Sequence, residues 1–598
     1  MDYDVCTSLP AMFFANTAEI GDRGFLWERR DGAWHPLSGK AAHGQAAALS
    51  AALKALGVTK GDRVALISEN RPEWLIADIG IMAAGAIAVP AYVTNQVSDH
   101  LHILQDSGAK GAIVSGPALA KNLLPAARDA GLEFVISMAP LEDTVDGGDA
   151  DGPAIHLWTD LIAAQDGAQD GATPDTSAIA RTDTACLIYT SGTGGTPKGV
   201  MLSHGAIISN CKGAYHLLLD FGLDEEVFLS FLPLSHSYEH TAGLMFPLSI
   251  KADIYYAESV DKLAANMEEV KPTIMTAVPR LYETMYGRIV RGVQQKGGLS
   301  EKLFMQAVAT GRKKYEGARL SLGEALLDPL LTKLVRKKVA GRFGGRLKAM
   351  VSGGAPLNYE VGVFFKALDV ELLQGYGQTE SAPIISCNPV SNNKLRTVGP
   401  PFVDIDLKIA DDGEIMVKGE LVMQGYWNNP DATAEAISDG WLHTGDIGEV
   451  DNHGHLKITD RKKDIIVNSG GDNIAPQRIE GFLDLQPEIA QSMVYGDKKP
   501  NIVALIVPHP DFASDWAKAN GKKMDMAALV EDADFRKTIS AAVDKVNTDM
   551  SVIERVRKFI LTAEPFTTEN QMMTPSMKIR RHVIRENYGD ALEALYTR

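Results

Sequence analysis

Tyr189-Thr-Ser-Gly-Thr-Gly-Gly-Thr-Pro-Lys-Gly-Val200 gathers four glycines, four Thr or Ser hydroxyls and one lysine into twelve residues. Glycines let backbone N–H groups approach an anion closely, while hydroxyls donate hydrogen bonds and the lysine supplies positive charge. The apolar run Ala185-Cys-Leu-Ile-Tyr189 directly before it predicts a buried strand that leads into a loop. The stretch therefore predicts a phosphate-binding loop at the end of a strand, with a flexible surface turn as the alternative.

The loop is not of the Walker A type. That pattern requires Gly immediately before its Lys and Ser or Thr after it, whereas Pro197 and Gly199 flank Lys198. The stretch resembles instead the Thr-Ser-Gly-Thr-Thr-Gly-x-Pro-Lys-Gly signature of the adenylate-forming enzymes, the superfamily of acyl-CoA synthetases, luciferases and nonribosomal adenylation domains. Gly194 stands where that signature commonly has a second Thr, which removes one hydroxyl from the loop.

Six further segments resemble motifs of the same superfamily and follow in its order. They are Leu232-Pro-Leu-Ser-His-Ser-Tyr-Glu-His240, Val351-Ser-Gly-Gly-Ala-Pro-Leu357, Gln374-Gly-Tyr-Gly-Gln-Thr-Glu380, Trp441-Leu-His-Thr-Gly-Asp446, Thr459-Asp-Arg-Lys-Lys-Asp-Ile-Ile-Val-Asn-Ser-Gly-Gly-Asp-Asn-Ile474 and Met573-Thr-Pro-Ser-Met-Lys-Ile-Arg-Arg581. Taken singly, several of them are ordinary turns of Gly, Thr and Asp. Their common order carries the resemblance, which spans the chain from Trp74 to Lys578.

The resemblance implies a nucleotide site that takes ATP. Tyr376 would stack on the adenine, and the carboxylate of Asp446 would accept hydrogen bonds from both ribose hydroxyls, because its two oxygens can serve two neighbouring donors. The nucleotide-binding residues implied in this way are Thr190, Ser191, Gly192, Thr193, Gly194, Gly195, Thr196, Lys198, Gly353, Gly354, Ala355, Gly375, Tyr376, Gly377, Asp446 and Arg461.

The same resemblance implies a metal site and the catalytic residues. Glu380 and Thr190 would hold Mg²⁺, which prefers hard oxygen ligands, and Thr379 would bond the α-phosphate. His236 would lie beside the reacting carboxylate as a positioning group, with a structural histidine as the alternative. Lys578 would stabilise the charge that develops as the adenylate forms, with a surface lysine as the alternative.

A second half-reaction with CoA requires the site to rearrange. By motif position, Lys463 would be the hinge between two domains, and Gly470 and Gly471, within Ser469 to Ile474, would be presented to the pantetheine arm of CoA. The adenylation lysine must leave before the thiol can enter, so the resemblance implies rotation of a small C-terminal domain.

Length and hydrophobic pattern predict two domains. A chain of 598 residues exceeds what one core normally supports. Strand-like runs such as Arg63–Ser68, Gly111–Ser115 and Glu133–Ser137 alternate with helix-length segments, which is typical of layered parallel α/β sheets. We predict a large α/β domain over residues 1–462 and a small, mobile α+β domain over residues 463–598.

Charge and cysteine content bound the partners and the compartment. Lys and Arg total 59 against 76 Asp and Glu, a net charge of −17 that argues against nucleic acid as a partner. The cysteines are scattered, without the spacing of a zinc site, and this favours a reducing compartment; they are Cys6, Cys186, Cys211 and Cys387. The first residues lack the features of a signal peptide, so a cytoplasmic location is expected.

Two apolar segments bear on membrane contact. The run from Trp74 to Val93 contains Asp78 and Pro90, and it predicts a buried helix followed by a strand rather than a membrane span. Between residues 283 and 351 an apolar stripe recurs at helical spacing beside basic side chains. The stripe is Leu327, Leu331, Leu334 and Val335, and the basic residues are Lys333, Arg336, Lys337 and Lys338. Such a helix can lie on an anionic membrane surface, or the charges can form a solvated outer face.

The resemblance as a whole implies an AMP-forming acyl-CoA synthetase, most like the bacterial long-chain fatty acid–CoA ligases, with ATP, Mg²⁺, a fatty acid and CoA as partners. Two alternatives stay open: an adenylate-forming ligase for a medium-chain or aromatic acid or a carrier-protein acceptor, and a non-catalytic nucleotide-binding relative. Chain length, oligomeric state and peripheral membrane contact are not decided by the residues.

Overall fold

The computed structural model describes residues 1–141, 152–165, 173–190, 196–462, 464–574 and 578–597. Of the predicted site residues, Ser191, Gly192, Thr193, Gly194, Gly195 and Lys463 lie outside these ranges. The strands are β1 Gly24–Arg30, β2 Ala33–Ser38, β3 Arg63–Ile67, β4 Ile87–Pro90, β5 Gly111–Val114, β6 Phe134–Ser137, β7 Ala154–Leu157, β8 Thr184–Thr190, β9 Lys198–Ser203, β10 Val227–Ser230, β11 Asp253–Tyr256, β12 Ile274–Ala277, β13 Ala349–Ser352, β14 Leu372–Gly377, β15 Ile384–Cys387, β16 Asp406–Ile409, β17 Glu414–Lys418, β18 Gly425–Tyr426, β19 Ile437–Ser438, β20 Trp441–Val450, β21 Leu456–Arg461, β22 Ile466–Val467, β23 Asn473–Ile474, β24 Ile489–Tyr495, β25 Ile502–Pro508 and β26 Val556–Leu561.

The α-helices are α1 Leu9–Ile20, α2 Gly39–Ala55, α3 Pro72–Ala83, α4 Val97–Ser107, α5 Pro117–Asp129, α6 Trp158–Ala163, α7 His204–Leu218, α8 Phe246–Ser249, α9 Leu263–Val270, α10 Pro279–Lys296, α11 Gly298–Tyr315, α12 Leu322–Leu331, α13 Lys337–Arg342, α14 Tyr359–Ala367, α15 Pro430–Ala436, α16 Pro476–Leu483, α17 Pro510–Ala519, α18 Met526–Val530, α19 Ala533–Thr548 and α20 Arg581–Ala594. Shorter helical segments are π-helical at Glu239–Met245 and Thr332–Arg336, and 3₁₀-helical at Leu219–Phe221, Thr379–Ser381 and Val390–Asn392.

Two large sheets form the N-terminal part of the chain. The strand order of the first is β15-β14-β13-β12-β10-β11-β1-β2, and that of the second is β18-β9-β8-β4-β3-β5-β6-β7. Inner strands such as β4, β5 and β12 are parallel to their neighbours and buried along their whole length, which is why they read as continuous apolar runs. The predicted mixed α/β class is confirmed, and so is the strand that leads into the glycine-rich loop, here β8.

Helices α2 and α3 pack together against these sheets. Gly80 of α3 is so close to Leu49 of α2 that an added Cβ would lie 2.6 Å from a Leu49 methyl carbon. The run from Trp74 to Val93 is the buried helix and strand that its sequence predicts, α3 followed by β4. Among the described residues, no helix is both long and apolar enough to cross a membrane.

The last part of the chain has an apolar core of its own. Side chains from Ile466 onward pack around the sheet β24-β25-β26, where β25 is parallel to β26 and antiparallel to β24. The preceding strand β21 still pairs with β20 in a third sheet, of order β16-β17-β20-β19 with β21 on β20. The exact boundary between the predicted domains stays a prediction.

The burial of the apolar stripe and of the basic residues beside it, between residues 283 and 351, differs from the sequence-based prediction. Leu331 and Val335 are buried, whereas Leu334 is exposed, and Arg336 is buried rather than part of a basic surface. The reason is the π-helical segment Thr332–Arg336, because its wider turn breaks the 3.6-residue periodicity from which the stripe was read.

Candidate active site

A cavity of about 1300 Å³ lies where the first sheet, the third sheet and the C-terminal part of the chain meet. It collects predicted site residues from all seven motifs. Those that line it are Thr190, Lys198, His236, Gly353, Gly354, Ala355, Gly375, Tyr376, Gly377, Thr379, Glu380, Asp446, Arg461 and Lys578. Thr196 is exposed and does not line it.

The third sheet positions a carboxylate for two neighbouring donors. Asp446 on β20 stands opposite Arg461 on β21, and the guanidinium Nε of Arg461 donates to its Oδ1 at 3.2 Å. The phenol of Tyr376, from β14 of the first sheet, donates to Oδ2 at 2.7 Å. Burial and the neighbouring carboxylate raise the pKa of Tyr376 well above its usual value, so this hydroxyl remains a donor. Asp446 is thus held in place by groups from two sheets.

Two glycines are required by close approach of the chain. A Cβ at Gly353 would lie 2.9 Å from the ring of Tyr238, whose hydroxyl donates to the carbonyl oxygen of Val351 at 2.8 Å. A Cβ at Gly377 would lie 1.7 Å from the carbonyl oxygen of Pro383. Only glycine fits at these positions, so the loops after β13 and at the end of β14 stay close to the cavity.

Glu380 is tied to the glycine-rich loop by a residue that the sequence motifs do not contain. The hydroxyl of Tyr426 donates to Glu380 Oε1 at 2.8 Å, and the ammonium of Lys198 lies 4.8 Å from the centre of the Tyr426 ring. Tyr426 lies on β18, which pairs antiparallel with β9, the strand that begins at Lys198. The sequence around Tyr426 contains no pattern that predicts this contact.

His236 and Thr379 both line the cavity, and Ser237, the neighbour of His236, contacts Thr379. Thr379 Oγ1 lies 3.0 Å from the hydroxyl oxygen of Ser237, and the backbone N–H of Tyr238 donates to His236 Nδ1 at 3.1 Å. Burial and the positive charge of Lys578 lower the pKa of His236 to about 4, so the ring is neutral at physiological pH. A neutral imidazole whose Nδ1 accepts a hydrogen bond carries its proton on Nε2, as a hydrogen-bond donor suited to positioning.

Lys578 reaches the same cavity from the C-terminal part of the chain. Its backbone N–H donates to Thr574 Oγ1 at 3.1 Å and its carbonyl accepts from Thr574 N at 2.8 Å, so two hydrogen bonds join Lys578 to Thr574. Burial and the charge of Arg461 lower the pKa of the Lys578 ammonium to about 8. The side chain therefore carries its positive charge at neutral pH and loses it under mildly alkaline conditions.

Contacts between the two parts of the chain hold Lys578 in this position. Arg280 on α10 donates to the carbonyl oxygen of Ala490 at 2.7 Å, and the Asn358 amide donates to the carbonyl oxygen of Gly481 at 3.1 Å. Gly470 and Gly471 lie in the turn between β22 and β23, exposed and outside the cavity lining. In this arrangement of the chain, Lys578, the predicted adenylation lysine, lines the cavity, and the segment predicted to meet CoA does not.

Part of the cavity lining is apolar and is here called the apolar pocket. Its side chains come from α7, β10, β12, the π-helical segment Glu239–Met245, α8 and the loop after β15. The apolar lining residues are Ala214, Leu217, Leu218, Phe228, Ala242, Phe246, Ile274, Val398 and Phe402. Apolar side chains of this kind suit an apolar ligand.

Buried polar pairs anchor the π-helical segment that follows His236. His240 Nε2 lies 2.9 Å from Asp78 Oδ2 on α3, and both side chains are fully buried. The hydroxyls of Ser230 and Thr276 each donate at 2.6 Å to the carboxylate of Glu239, whose pKa is raised to about 7 by burial. Sequence reasoning missed Asp78 as a partner, because it lies in an apolar helix far from the motif.

Replacing Asp78 by Ala should lower the free energy of unfolding by about 3 kcal/mol, because it removes one partner of a fully buried pair. Asp78→Asn keeps an oxygen that can accept from His240, and it should lose much less. The midpoint of urea unfolding measures both, with exposed Asp22→Ala as the control. Equal losses in the Ala and Asn variants would show that the hydrogen bond to His240 contributes nothing.

Comparison with known families identifies the chain. Residues 13–427 match the family model described as AMP-binding enzyme, and residues 463–598 match the AMP-binding enzyme C-terminal domain. The chain belongs to the AMP-binding enzyme family. Membership accounts for the common order of the seven motifs and for their convergence on one cavity.

Relatives of this AMP-binding enzyme match over nearly its full length. A long-chain-fatty-acid–CoA ligase of Mycobacterium tuberculosis is 34% identical over 99% of this chain and 97% of its own length. Peroxisomal long chain acyl-CoA synthetase 7 of Arabidopsis thaliana is 32% identical, with 90% of this chain and 78% of that protein covered.

Solved structures share the fold. The adenylation domain of a carboxylate reductase from Mycobacterium chelonae superposes with a TM-score of 0.77 and 23% identity, covering 99% of this chain and 91% of that one. The anthranilate CoA ligase AuaEII, solved with anthranoyl-AMP, superposes with a TM-score of 0.73 and 20% identity, with 99% of both chains covered. At these identities the likeness establishes the architecture alone.

Proposed function

We propose that this AMP-binding enzyme activates a long-chain fatty acid with ATP, through an acyl-AMP intermediate, and transfers the acyl group to CoA. The observation that carries the proposal is one cavity lined by Asp446, Glu380, Lys578 and His236 together with a set of apolar side chains. The full-length relatives named long-chain-fatty-acid–CoA ligases support the choice of acid and acceptor.

In the first half-reaction a carboxylate oxygen of the acid attacks the α-phosphorus of ATP. The new bond is carboxyl oxygen to phosphorus, and the bond from phosphorus to the pyrophosphate oxygen breaks, so pyrophosphate leaves. The ammonium of Lys578 would offset the charge that develops on both reacting groups, and Thr379 would bond the α-phosphate. His236 would hold the carboxylate in line by donating from Nε2, without exchanging a proton.

Glu380 and Thr190 fit a magnesium ion. Both offer hard oxygen atoms at the cavity, and one Glu380 oxygen is already oriented by Tyr426. The described residues contain no cluster of three or more His, Cys, Asp or Glu side chains that could hold a metal alone. Such a sparse donor set suits Mg²⁺, which is commonly held by one or two protein groups together with substrate phosphates and water. When bound, the ion would neutralise phosphate charge.

In the second half-reaction the CoA sulfur would attack the acyl carbon, and the bond from that carbon to the AMP oxygen would break. We propose that residues 463–598 rotate about Lys463 between the two steps, so that Lys578 leaves and Gly470 and Gly471 approach the pantetheine arm. The separate apolar core beyond Ile466 supports this division of the chain, and so does the range of the matched C-terminal family model.

The free cysteines support a reducing, cytoplasmic setting.

AMP and acyl-CoA formation across acids from acetate to oleate tests the proposal. Product should be greatest with long chains. Ala214→Phe should fill the apolar pocket and lower kcat/KM for oleate about 100-fold, with little loss for short acids. His216→Phe places the same ring on the exposed face of α7 and serves as the control. Pyrophosphate without thioester would indicate a different acceptor, and inactivity with every acid would contradict the proposal.

A further inference from the structure

Helix α12 and the segment after it present a row of leucines to solvent. Leu322 is 87% exposed, Leu326 83%, Leu330 47% and Leu334 38%. The residues recur every four positions and therefore form a single stripe along the helix, here called the leucine face. A contiguous exposed apolar surface indicates an interaction site, whereas single exposed apolar residues are ordinary on protein surfaces.

The helix cannot rotate to bury the leucine face, because its opposite side is already packed. Leu331 is fully buried there, and the guanidinium of Arg336 is 2% exposed. Arg336 donates to Asp328 Oδ1 at 2.9 Å, to the carbonyl oxygen of Ala307 at 3.1 Å and to that of Ala367 at 3.0 Å. These bonds join Arg336 to α11 and α14. They fix the orientation of the helix, so the leucine face stays exposed to solvent.

The charges beside the leucine face have one sign. Lys333 and Lys337 fall on the same side of the helix as Leu330 and Leu334, and both are exposed without an ion pair to any residue that the structure describes. The acidic residues of α12 are neutralised away from that side: Glu324 pairs with Lys313 at 2.6 Å, and Asp328 pairs with Lys314 and Arg336. This basic edge stands out on a chain of net charge −17.

We propose that the leucine face docks the protein on the surface of an anionic phospholipid bilayer. Leucines inserted at the boundary between headgroups and acyl chains would lose their contact with water, while the lysines would meet lipid phosphates. The positive rim favours an anionic surface over the same face of a second copy, because pairing two such faces would bring their lysines together. If the proposed function is correct, docking also brings the enzyme to the phase that holds long-chain acids. Helix α12 packs on α11 and α11 on α14, whose Tyr359 and Glu360 line the cavity.

Co-sedimentation of the full chain with vesicles tests the docking surface. The vesicles are equal parts phosphatidylglycerol and phosphatidylcholine, without ATP, acid or CoA. Leu322→Ser with Leu326→Ser should lower the partition coefficient at least about tenfold, since each leucine transfers apolar area out of water. The matched control is Val5→Ser with Val552→Ser, which removes apolar side chains that are 72% and 65% exposed elsewhere. The control should bind like the unchanged protein.

The contribution of the lysines to vesicle binding should depend on salt concentration. Lys333→Gln with Lys337→Gln should weaken binding about tenfold at low salt and much less at high salt, because salt screens their attraction to lipid phosphates. Lys121→Gln with Lys523→Gln changes the net charge equally at other exposed positions and should have little effect. Vesicles of phosphatidylcholine alone should bind weakly.

Three outcomes would overturn the docking proposal: no binding of the unchanged protein to anionic vesicles, equal binding by the leucine double variant, or self-association that this variant abolishes. The last would assign the leucine face to a second copy of the chain. Because none of these measurements uses catalysis, their failure is separable from that of the proposed function, which is assayed on detergent-dispersed acid with the same variants.

Discussion

Lys578→Ala should lower the rate of acyl-AMP formation by about 10²- to 10³-fold, the usual effect of removing one group aimed at developing charge. The side chain reaches the cavity that Thr379, Glu380 and Asp446 also line. Its positive charge contributes to the lowered pKa of His236. Acid-dependent pyrophosphate release measures this step. Transfer of the acyl group from supplied acyl-AMP to CoA should change far less, because Lys578 has left the site by then in the proposed scheme.

Exposed Lys537→Ala on α19 is the matched control for Lys578→Ala and should leave both half-reactions intact. If acyl transfer from supplied acyl-AMP fell as much as pyrophosphate release, Lys578 would have a general role in holding the domains rather than one confined to adenylation.

The pH dependence of the first half-reaction gives an independent readout of Lys578. Its pKa is lowered to about 8 by burial and Arg461, and only the protonated form carries the positive charge. The rate should therefore be maintained below about pH 8 and fall as pH rises through that value. Lys578→Arg should be slower but lack this alkaline fall, because a guanidinium stays protonated. An alkaline fall that persists in Lys578→Arg would assign the titration to another group.

Asp446→Ala should raise the KM for ATP by about 10- to 100-fold, the cost of losing hydrogen bonds to a charged acceptor. The carboxylate lines the cavity and accepts hydrogen bonds from Tyr376 at 2.7 Å and from Arg461 at 3.2 Å. Asp446→Asn retains one acceptor oxygen and should lose less. Initial rates at varied ATP concentration separate these variants.

A modified substrate distinguishes ribose binding from a structural role of Asp446. The unchanged enzyme should prefer ATP to 2′-deoxy-ATP, whereas Asp446→Ala should discriminate little between them, because the partner of the 2′-hydroxyl is gone. Exposed Asp406→Ala on the same sheet is the control and should keep the preference. An unchanged ratio in Asp446→Ala would place the ribose elsewhere in the cavity.

Local patterns predicted much of what the structure contains. The apolar run before the glycine-rich loop is β8, and the segment from Trp74 to Val93 is α3 and β4, because burial of a helix or a strand leaves a short-range imprint on hydrophobicity. The motifs could be recognised without the structure, since close backbone approach and phosphate binding demand glycine and hydroxyl residues at neighbouring positions.

Other contacts have no local imprint. Tyr426 reaches Glu380, and Asp78 reaches His240, across long stretches of chain that fold into different sheets and helices. The predicted stripe follows a helical period that the π-helical segment Thr332–Arg336 interrupts, so Leu334 is exposed while Leu331 and Val335 of the same stripe are buried. These contacts and burial patterns depend on which helices and strands pack against each other, and local patterns in one sequence do not predict that packing.

By itself, the sequence determined the α/β class, the family and the order in which the site residues occur, because all of these depend on residue types at short spacing. Only the tertiary structure decided that Lys578 is at the cavity, that Gly470 and Gly471 are not, and that Arg336 is internal while Leu322 and Leu326 are exposed. The physical reason is that burial and electrostatic environment arise from the packing of distant segments, and the same side chain can be core, surface or site according to what packs against it.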